Sequence, residues 1–146
     1  MTTTVRPVKP DDYKTWYDLW TGYLAYYETT LPDATKKIAF ARLLDPATNV
    51  NGLLAEVNDK PVGLVHFIYH EHMWRPEGVC YLQDLYADPT VRGQGIGRAL
   101  IEAVYTAADA AGKPRVYWLT QDFNAEARKL YDRIANLSPF IKYDRP

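Results

Sequence analysis

The sequence predicts an α/β fold in which one mixed sheet carries helices on both faces. Short β-branched and aromatic runs alternate with longer segments whose apolar residues recur every three or four positions. Turn residues separate these segments, and the predicted order of elements is β-α-α-β-β-β-α-β-α-β. A chain of 146 residues that is 47% hydrophobic can build one packed core, so a single domain over residues 1–146 is expected.

The first elements are a strand over residues 3–8 and a helix that starts at Tyr13. Asp11 and Asp12 offer an N-cap for this helix. Large residues recur along it at three- and four-residue spacing and predict an aromatic face: Trp16, Trp20, Leu24 and Tyr27.

A second helix follows Pro32, which breaks the first helix, and Asp33, which caps the new one. The pair Asp45-Pro46 ends it. Its buried stripe is predicted to consist of Ile38, Ala41 and Leu44.

Three strands are predicted next. Residues 53–57 and 62–69 are separated by Asn-Asp-Lys-Pro at 58–61, a composition that favours an antiparallel hairpin. The third strand covers residues 79–87 and leads to the glycine-rich segment Arg-Gly-Gln-Gly-Ile-Gly-Arg at 92–98.

The rest of the chain alternates helices and strands. A helix runs from Ile96 to a C-cap at Gly112, and a strand covers residues 116–120. Asn124 can cap a last helix, and residues 140–143 predict a last strand. The apolar positions of the last helix are Ala127, Leu130, Tyr131 and Ile134.

Composition excludes several classes of function. The net charge of −1 comes from 17 basic and 18 acidic residues scattered along the chain, without the basic stripe that nucleic acid binding requires. No run approaches the roughly 18 apolar residues of a membrane span, so we expect a cytoplasmic protein without a membrane partner. The single cysteine, Cys80, is expected to be buried filler rather than a reactive thiol.

The glycine-rich segment predicts an anion site. Gly93, Gly95 and Gly97 allow the backbone to turn tightly and leave N–H groups uncovered at a helix start, where a pyrophosphate is stabilised. Arg92 and Arg98 add two positive charges at its rim. The spacing fits neither the dinucleotide fingerprint nor the Walker A loop.

Two motifs resemble the GNAT superfamily of N-acetyltransferases. Arg92, Gly95 and Gly97 match that family's acetyl-coenzyme A loop, R/Q-x-x-G-x-G/A. A strand with the sequence Tyr-Leu-Gln-Asp-Leu-Tyr at 81–86 leads into the loop, and residues 124–131 resemble the family's N-x-x-A-x-x-L/F-Y element. The similarity covers nearly all of the chain and implies the GNAT fold. Within the superfamily, the sequence most resembles the histone and polyamine acetyltransferase branch.

This resemblance implies an enzyme that transfers the acetyl group of acetyl-coenzyme A to a primary amine by direct attack in a ternary complex. In the family, the two strands beside the cofactor splay apart, so that backbone groups pair with the pantetheine arm. The positions that the resemblance assigns to coenzyme binding are Leu85, Tyr86, Arg92, Gly93, Gln94, Gly95, Ile96, Gly97, Arg98, Asn124 and Tyr131.

The resemblance also assigns Tyr131 the role of general acid toward the departing thiolate. A phenol with a pKa of about 10 stays protonated at neutral pH and can donate. Helical spacing alone leaves a second interpretation open, in which Tyr131 is an aromatic on the core face of the last helix. The donor to the developing oxyanion is expected to be a backbone N–H near Leu85.

The general base remains open between alternatives. Relatives that act on polyamines resemble this strand but carry glutamate where Gln83 stands, and an amide cannot accept the proton of the amine. Asp84 can act as a base through water or hold a cationic acceptor; it can equally be bound to backbone N–H groups at a strand bulge, on the opposite face from Gln83. An amine captured in its neutral form needs no dedicated base.

No metal site is predicted. His66, His70 and His72 share parity on one strand, but no cysteine or distant carboxylate is placed to complete a site. We expect these histidines in a substrate wall instead.

The expected partner is a small amine, such as a polyamine or an amino acid, or a lysine-bearing peptide. The alternative is a catalytically weak GNAT-like module that binds coenzyme A and serves sensing or interaction. A homodimer is expected from the strand at 140–143 and from surplus aromatic residues on the first helix, which can line a cleft or a dimer contact: Tyr17, Tyr23 and Tyr26.

Overall fold

A computed structural model describes residues 2–146 of the chain. Within this range the strands are β1 (Thr3–Pro7), β2 (Val50–Val57), β3 (Lys60–His72), β4 (Arg75–Ala87) and β5 (Val116–Tyr117). The α-helices are α1 (Tyr13–Tyr26), α2 (Asp33–Leu44), α3 (Ile96–Ala110) and α4 (Ala125–Ile134). The five strands form one sheet in the order β1-β2-β3-β4-β5, in which only the β4–β5 pair is parallel. The predicted mixed sheet is confirmed.

The sheet separates two hydrophobic clusters. Side chains alternate between them along the central strands: Leu54 and Leu64 face the cluster with α1 and α2, while Ala55 and Val65 face the cluster with α3 and α4. Each cluster buries one face of the sheet, so the predicted arrangement with helices on both faces is confirmed.

The hairpin between β2 and β3 turns at Asn58 and Asp59. Both residues have positive φ angles, 52° and 63°, which is the backbone conformation of the tight turns that match the twist of paired strands. Asparagine and aspartate tolerate it better than other side chains do. The predicted hairpin is confirmed, with longer strands than predicted.

The predicted stripe of α2 is wrong at Ile38 and Ala41, while Leu44 is half-buried and packs against the cluster with α1. Ile38 is 55% exposed and Ala41 is also exposed, whereas Phe40 and Lys36 are buried. The helix is rotated so that Phe40 packs against the ring of Trp16, with the centroids 5.0 Å apart. Burial of a large aromatic ring against α1 outweighs the spacing on which the prediction rested.

Two predictions about strands also differ from the structure. The strand predicted at 116–120 is only two residues long, because β4 and β5 separate after Tyr117. Residues 140–143 form no strand at all, and Phe140, Ile141 and Tyr143 are each more than three-quarters exposed. A strand requires a hydrogen-bonded neighbour, and among the described residues the tail pairs with no strand of the sheet.

No helix among residues 2–146 is long and apolar enough to cross a membrane.

An ion-pair cluster ties β1 to the start of α1. The Arg6 guanidinium donates to both carboxylate oxygens of Asp12, at 2.8 and 2.9 Å, and its Nε donates to Glu56 Oε1 at 2.6 Å. Asp12 is buried and also accepts the backbone N–H of Lys9 at 2.7 Å. The hydrogen bonds from Arg6 hold the pKa of Asp12 below its usual value.

Replacement of Arg6 by methionine is expected to lower the free energy of unfolding at neutral pH by about 1–3 kcal/mol, because the buried Asp12 and the partly buried Glu56 lose their cation. An Asp with a lowered folded pKa stabilises the fold above its unfolded pKa of about 3.9 and loses that contribution as the pH falls through the folded value. The difference between wild type and Arg6→Met should therefore shrink below about pH 4. Urea unfolding across pH measures it.

Lys14→Met is the matched control, since Lys14 and Asp18 form an exposed ion pair at 3.1 Å. Such pairs contribute within about 0.5 kcal/mol. Equal stability losses in the two variants, or a difference that does not change with pH, would contradict the stated role of Arg6.

Candidate functional site

A cleft opens where β4 and β5 part. The two strands pair only at Cys80–Val116 and Tyr81–Tyr117. Beyond these pairs β4 forms one wall and the segment after β5 the other, while α1 and α4 add aromatic rings. The residues that line the cleft are Tyr23, Tyr27, Leu82, Gln83, Leu85, Trp118, Leu119, Thr120 and Tyr131.

A β-bulge in β4 shapes the inner wall of this cleft. Asp84 pairs with His66 and Leu82 pairs with Phe67, so Gln83 is an extra residue without an opposite partner. The side chain of Gln83 is exposed and lines the cleft. The side chain of Asp84 points to the other face of the sheet, beneath α1, where it is 7% exposed.

Asp84 is bound to side chains rather than to backbone N–H groups. Its Oδ2 atom accepts hydrogen bonds from Trp20 Nε1 at 3.2 Å and from His66 Nδ1 at 2.8 Å. Asp84 is not among the residues that line the cleft. Tyr23 lines the cleft, and burial together with the nearby charge of Asp84 raises its pKa.

Tyr131 lies on α4 with its ring against Trp118, at a centroid distance of 5.4 Å and an interplanar angle of 70°. Both rings line the cleft, as do Gln83 and Leu85 on the opposite wall. Burial raises the pKa of Tyr131 to about 12, and the nearby hydroxyls of Tyr27 and Tyr26 contribute to the rise. The phenol is therefore protonated at neutral pH and available as a donor.

The glycine loop leads from β4 into the N-terminus of α3. Gly93 and Gly95 have φ angles of +81° and +80°, and a Cβ atom added at either would meet nothing within 4 Å. Backbone conformation, not crowding, therefore requires glycine at both positions. The uncovered side of this loop and the free N–H groups at the start of α3 form a cradle that suits a pyrophosphate.

Other predicted coenzyme residues surround the loop and the cleft. Arg92 lies 6.0 Å from the centre of the Tyr26 ring, and Arg98 forms an exposed ion pair with Glu102 at 2.8 Å. Asn124 stands at the N-cap position of α4, but its side chain makes no capping bond and lies 3.5 Å from the hydroxyl of Thr120 in the cleft. Gln94 and Ile96 belong to the loop and the first turn of α3.

Tyr86, at the end of β4, is not among the cleft residues. Its hydroxyl packs closely on α1, because a Cβ atom at Gly22 would lie 2.6 Å from it. The absence of a side chain at Gly22 is what admits the tyrosine ring there.

The sequence left the roles of several site residues open: Tyr23 was a ring for a cleft or a dimer contact, and Tyr27 belonged to the aromatic face of the first helix. Tyr23 and Tyr27 continue the three- and four-residue spacing that begins at Trp16 and Trp20, and that spacing places all four on one face of α1. The signal for Tyr23 was therefore present, but it does not distinguish a core ring from one that borders a cleft. The partner of Asp84, His66, follows only from the strand register.

The three histidines of β3 lie in different surroundings. His66 is buried beneath α1, while His70 shares a hydrogen bond of 2.8 Å with the hydroxyl of Tyr117 near the sheet edge. In the part of the chain that the structure describes, no group of three or more His, Cys, Asp or Glu side chains is placed to hold a metal ion. Cys80 is buried, and burial raises its pKa to about 11, which makes it a poor nucleophile at neutral pH.

The cleft and the loop together fit an elongated ligand with an anionic end. The loop offers backbone N–H groups to that end, and the walls of the cleft offer unpaired strand edges to an extended arm. Of the residues that line the cleft, none carries a formal charge.

Comparisons with known proteins give one family. The model of the acetyltransferase (GNAT) family matches residues 13–135. A D-amino-acid N-acetyltransferase of Saccharomyces cerevisiae is 37% identical over 144 residues, covering 97% of this chain and 89% of that protein. A thialysine N-epsilon-acetyltransferase of Caenorhabditis elegans is 31% identical over 85 residues, covering 58% of this chain and 52% of that protein.

Solved structures share the fold. Aminoglycoside N-acetyltransferase AAC(6′)-Iy in complex with coenzyme A superimposes with a TM-score of 0.86, covering 99% of this chain and 95% of that chain. The two sequences are only 16% identical, so this similarity is one of fold.

Proposed function

Because the chain belongs to the acetyltransferase (GNAT) family and is an N-acetyltransferase that uses acetyl-coenzyme A, we propose that its acceptor is a small primary amine of the amino-acid type, acetylated in the cleft between β4 and β5. The observation that carries this proposal is the junction of the glycine loop with an uncharged cleft that ends at Tyr131 and Gln83. Acetyl-coenzyme A supplies the activated acetyl group as a thioester.

The loop holds the coenzyme in this proposal. Backbone N–H groups from Gly93 to Arg98 bind the pyrophosphate, where the start of α3 favours negative charge. Backbone groups of β4 near Leu85 pair with the pantetheine arm, and Asn124 contacts it from the other wall. The thioester is then directed toward the bulge at Gln83.

The character of the cleft supports a small acceptor. A polyamine carries several positive charges and is recognised by carboxylates, but the residues lining the cleft supply none. Aromatic rings of Tyr23, Tyr27 and Trp118 suit a compact amine, and the relative of 37% identity is named for D-amino acids. A lysine-bearing peptide is the second acceptor that this cleft can admit.

Catalysis needs a proton donor for the thiolate and a route for the proton of the amine. In our proposal Tyr131 donates to the thiolate, and a backbone N–H near Leu85 stabilises the oxyanion. Gln83 orients the acceptor from the bulge through its amide. Asp84 receives the proton of the amine or balances its charge from beneath the sheet.

The alternative is a module that binds coenzyme A without efficient transfer. Gln83 favours this alternative, because it cannot serve as a base. Tyr131 and the intact loop favour an active enzyme.

A thiol-release assay with acetyl-coenzyme A tests the acceptor class, using D- and L-amino acids, polyamines and a lysine peptide in parallel. Amino acids are expected to give the highest kcat/KM. Faster release with polyamines would overturn the proposed acceptor class, and tight coenzyme binding without release for any amine would support the alternative module.

We also propose a homodimer. The C-terminal tail exposes large apolar side chains, and such surfaces in water indicate a protein contact. These side chains are Leu137, Phe140, Ile141 and Tyr143. Light scattering is expected to report about twice the chain mass of 16.7 kDa; a single-chain mass at high concentration would contradict the dimer.

A further inference from the structure

A line of buried polar side chains begins beneath α1 at Trp16. This residue is fully buried, and its Nε1 donates to His66 Nε2 at 2.9 Å. Because an indole N–H can only donate, Nε2 of His66 must accept, and the ring hydrogen of His66 lies on Nδ1. Nδ1 in turn donates to Asp84 Oδ2 at 2.8 Å. The direction of each hydrogen bond is thereby fixed.

The carboxylate of Asp84 has one oxygen occupied and one available. Both Trp20 Nε1 and His66 Nδ1 donate to Oδ2, which leaves Oδ1 open to a further donor. Tyr23 follows Trp20 by one turn of α1 and interacts with this carboxylate. Burial and the charge of Asp84 raise the pKa of Tyr23, as expected for a phenol that donates to an anion.

Tyr23 is the point where this line reaches the cleft. It lines the cleft together with Gln83 and Tyr131, whereas Asp84 and His66 do not. A Tyr23 hydroxyl that donates its hydrogen to Asp84 presents an oxygen lone pair to the cleft. A lone pair there selects a ligand that offers an N–H or O–H group.

We propose that Tyr23 is a catalytic residue that accepts a proton from the acceptor amine while passing its own proton to Asp84. This inference rests on the proposed amine acetylation and supplies the base that Gln83 cannot provide. His66 and Trp20 act as positioning residues, because both hold the carboxylate by its Oδ2 atom.

In the proposed proton transfer, each bond that forms is matched by a bond that breaks. As the nitrogen bonds to the thioester carbonyl carbon, it becomes cationic and acidic. One N–H bond breaks and its proton bonds to Tyr23 Oη; the former O–H bond of Tyr23 breaks and that proton bonds to Asp84 Oδ1. The π-electron pair of the carbonyl moves to the carbonyl oxygen. When this pair re-forms the C=O bond, the C–S bond breaks and the thiolate leaves.

The test compares Tyr23→Phe, Asp84→Asn and the double variant in the thiol-release assay. Each single change is expected to lower kcat by about 10²-fold, within the usual range for general base catalysis. The double variant should be no slower than the slower single variant, because both changes interrupt the same transfer. Asp84→Asn keeps an oxygen for Trp20 and His66, so its fold should persist.

Tyr13→Phe is the matched control, since it removes a hydroxyl from the same helix at a position outside the cleft. It should retain the wild-type kcat. A weakly basic acceptor amine distinguishes a lost proton transfer from a distorted cleft. The proton of such an amine leaves more readily, so the loss of kcat in Tyr23→Phe should shrink several-fold with this acceptor. A distorted cleft would instead slow the reaction of all acceptors alike.

The relay is overturned if Tyr23→Phe retains more than half of the wild-type kcat with chemistry rate-limiting, or if the two single losses multiply in the double variant. Losses that are equal for strongly and weakly basic amines would also overturn it. A wild-type chain that acetylates no amine would instead contradict the proposed function and the relay together.

Discussion

Gly95→Glu is expected to weaken the binding of coenzyme A by at least about 100-fold, which corresponds to about 2.7 kcal/mol. Gly95 has a φ angle of +80°, a conformation that is strained for a glutamate by about 1–3 kcal/mol. The new carboxylate also stands where the pyrophosphate is expected to bind, and like charges repel. Isothermal titration calorimetry with coenzyme A measures the change.

Two comparison variants separate strain from charge. Gly112→Glu introduces the same side chain just after α3, at a φ angle of +73°. A Cβ atom added at Gly112 would meet nothing within 4 Å, and this variant should leave the affinity for coenzyme A unchanged. Gly97→Asp places an acid in the first turn of α3, where acids favour folding, so a loss of affinity there reports charge at the anion site. Unaltered affinity in both Gly95→Glu and Gly97→Asp would remove the loop from the coenzyme site.

Tyr131→Phe is expected to lower kcat by about 10- to 100-fold while the KM for acetyl-coenzyme A changes little. With a pKa of about 12, Tyr131 holds its proton at neutral pH. A thiol has a pKa of about 8.5, so complete transfer from this phenol is unfavourable by about 3.5 pKa units. The hydroxyl therefore acts chiefly by hydrogen bonding to the developing thiolate, which places the effect at the lower end for general acids.

Tyr105→Phe is the matched control for this change. Tyr105 lies on α3, and its hydroxyl donates to the carbonyl of Ile134 at 3.1 Å, outside the cleft. Its loss should lower the free energy of unfolding by about 1 kcal/mol without affecting kcat. If Tyr131→Phe retained more than half of the wild-type kcat with chemistry rate-limiting, Tyr131 would not be the donor and water would take that role.

The local part of the fold follows from the sequence. Alternate glycines require a backbone that other residues avoid, and Gly93 and Gly95 adopt it. The turn at Asn58 and Asp59 and the spacing of α1 and α3 are likewise encoded by neighbouring residues.

The parts that could not be predicted depend on distant partners. Burial of Phe40 in α2 follows from Trp16, which belongs to another helix. Asp84 is bound by Trp20, which is 64 positions away, and no local pattern announces that contact. Residues 140–143 have strand-forming side chains but no neighbouring strand, so propensity alone gave the wrong result.

The candidate site could be predicted from the sequence only in part. Tyr131 and Gln83 were identified from the sequence and line the cleft, because both belong to motifs that the family resemblance covers. The sequence assigns Tyr23 to a cleft or to a dimer contact without choosing between them, since helical spacing gives the face of a residue but not the depth of a cleft beside it. The bulge at Gln83 redirects Asp84, and a bulge cannot be located by counting alternation.

The most direct test of amine acetylation uses acetyl-coenzyme A labelled in the acetyl group, with a D-amino acid as acceptor. We expect the label to appear on the amine nitrogen as an amide, with one coenzyme A released for each amide formed and little release without the amine. Release of coenzyme A at the same rate without acceptor, with the label recovered as free acetate, would contradict it.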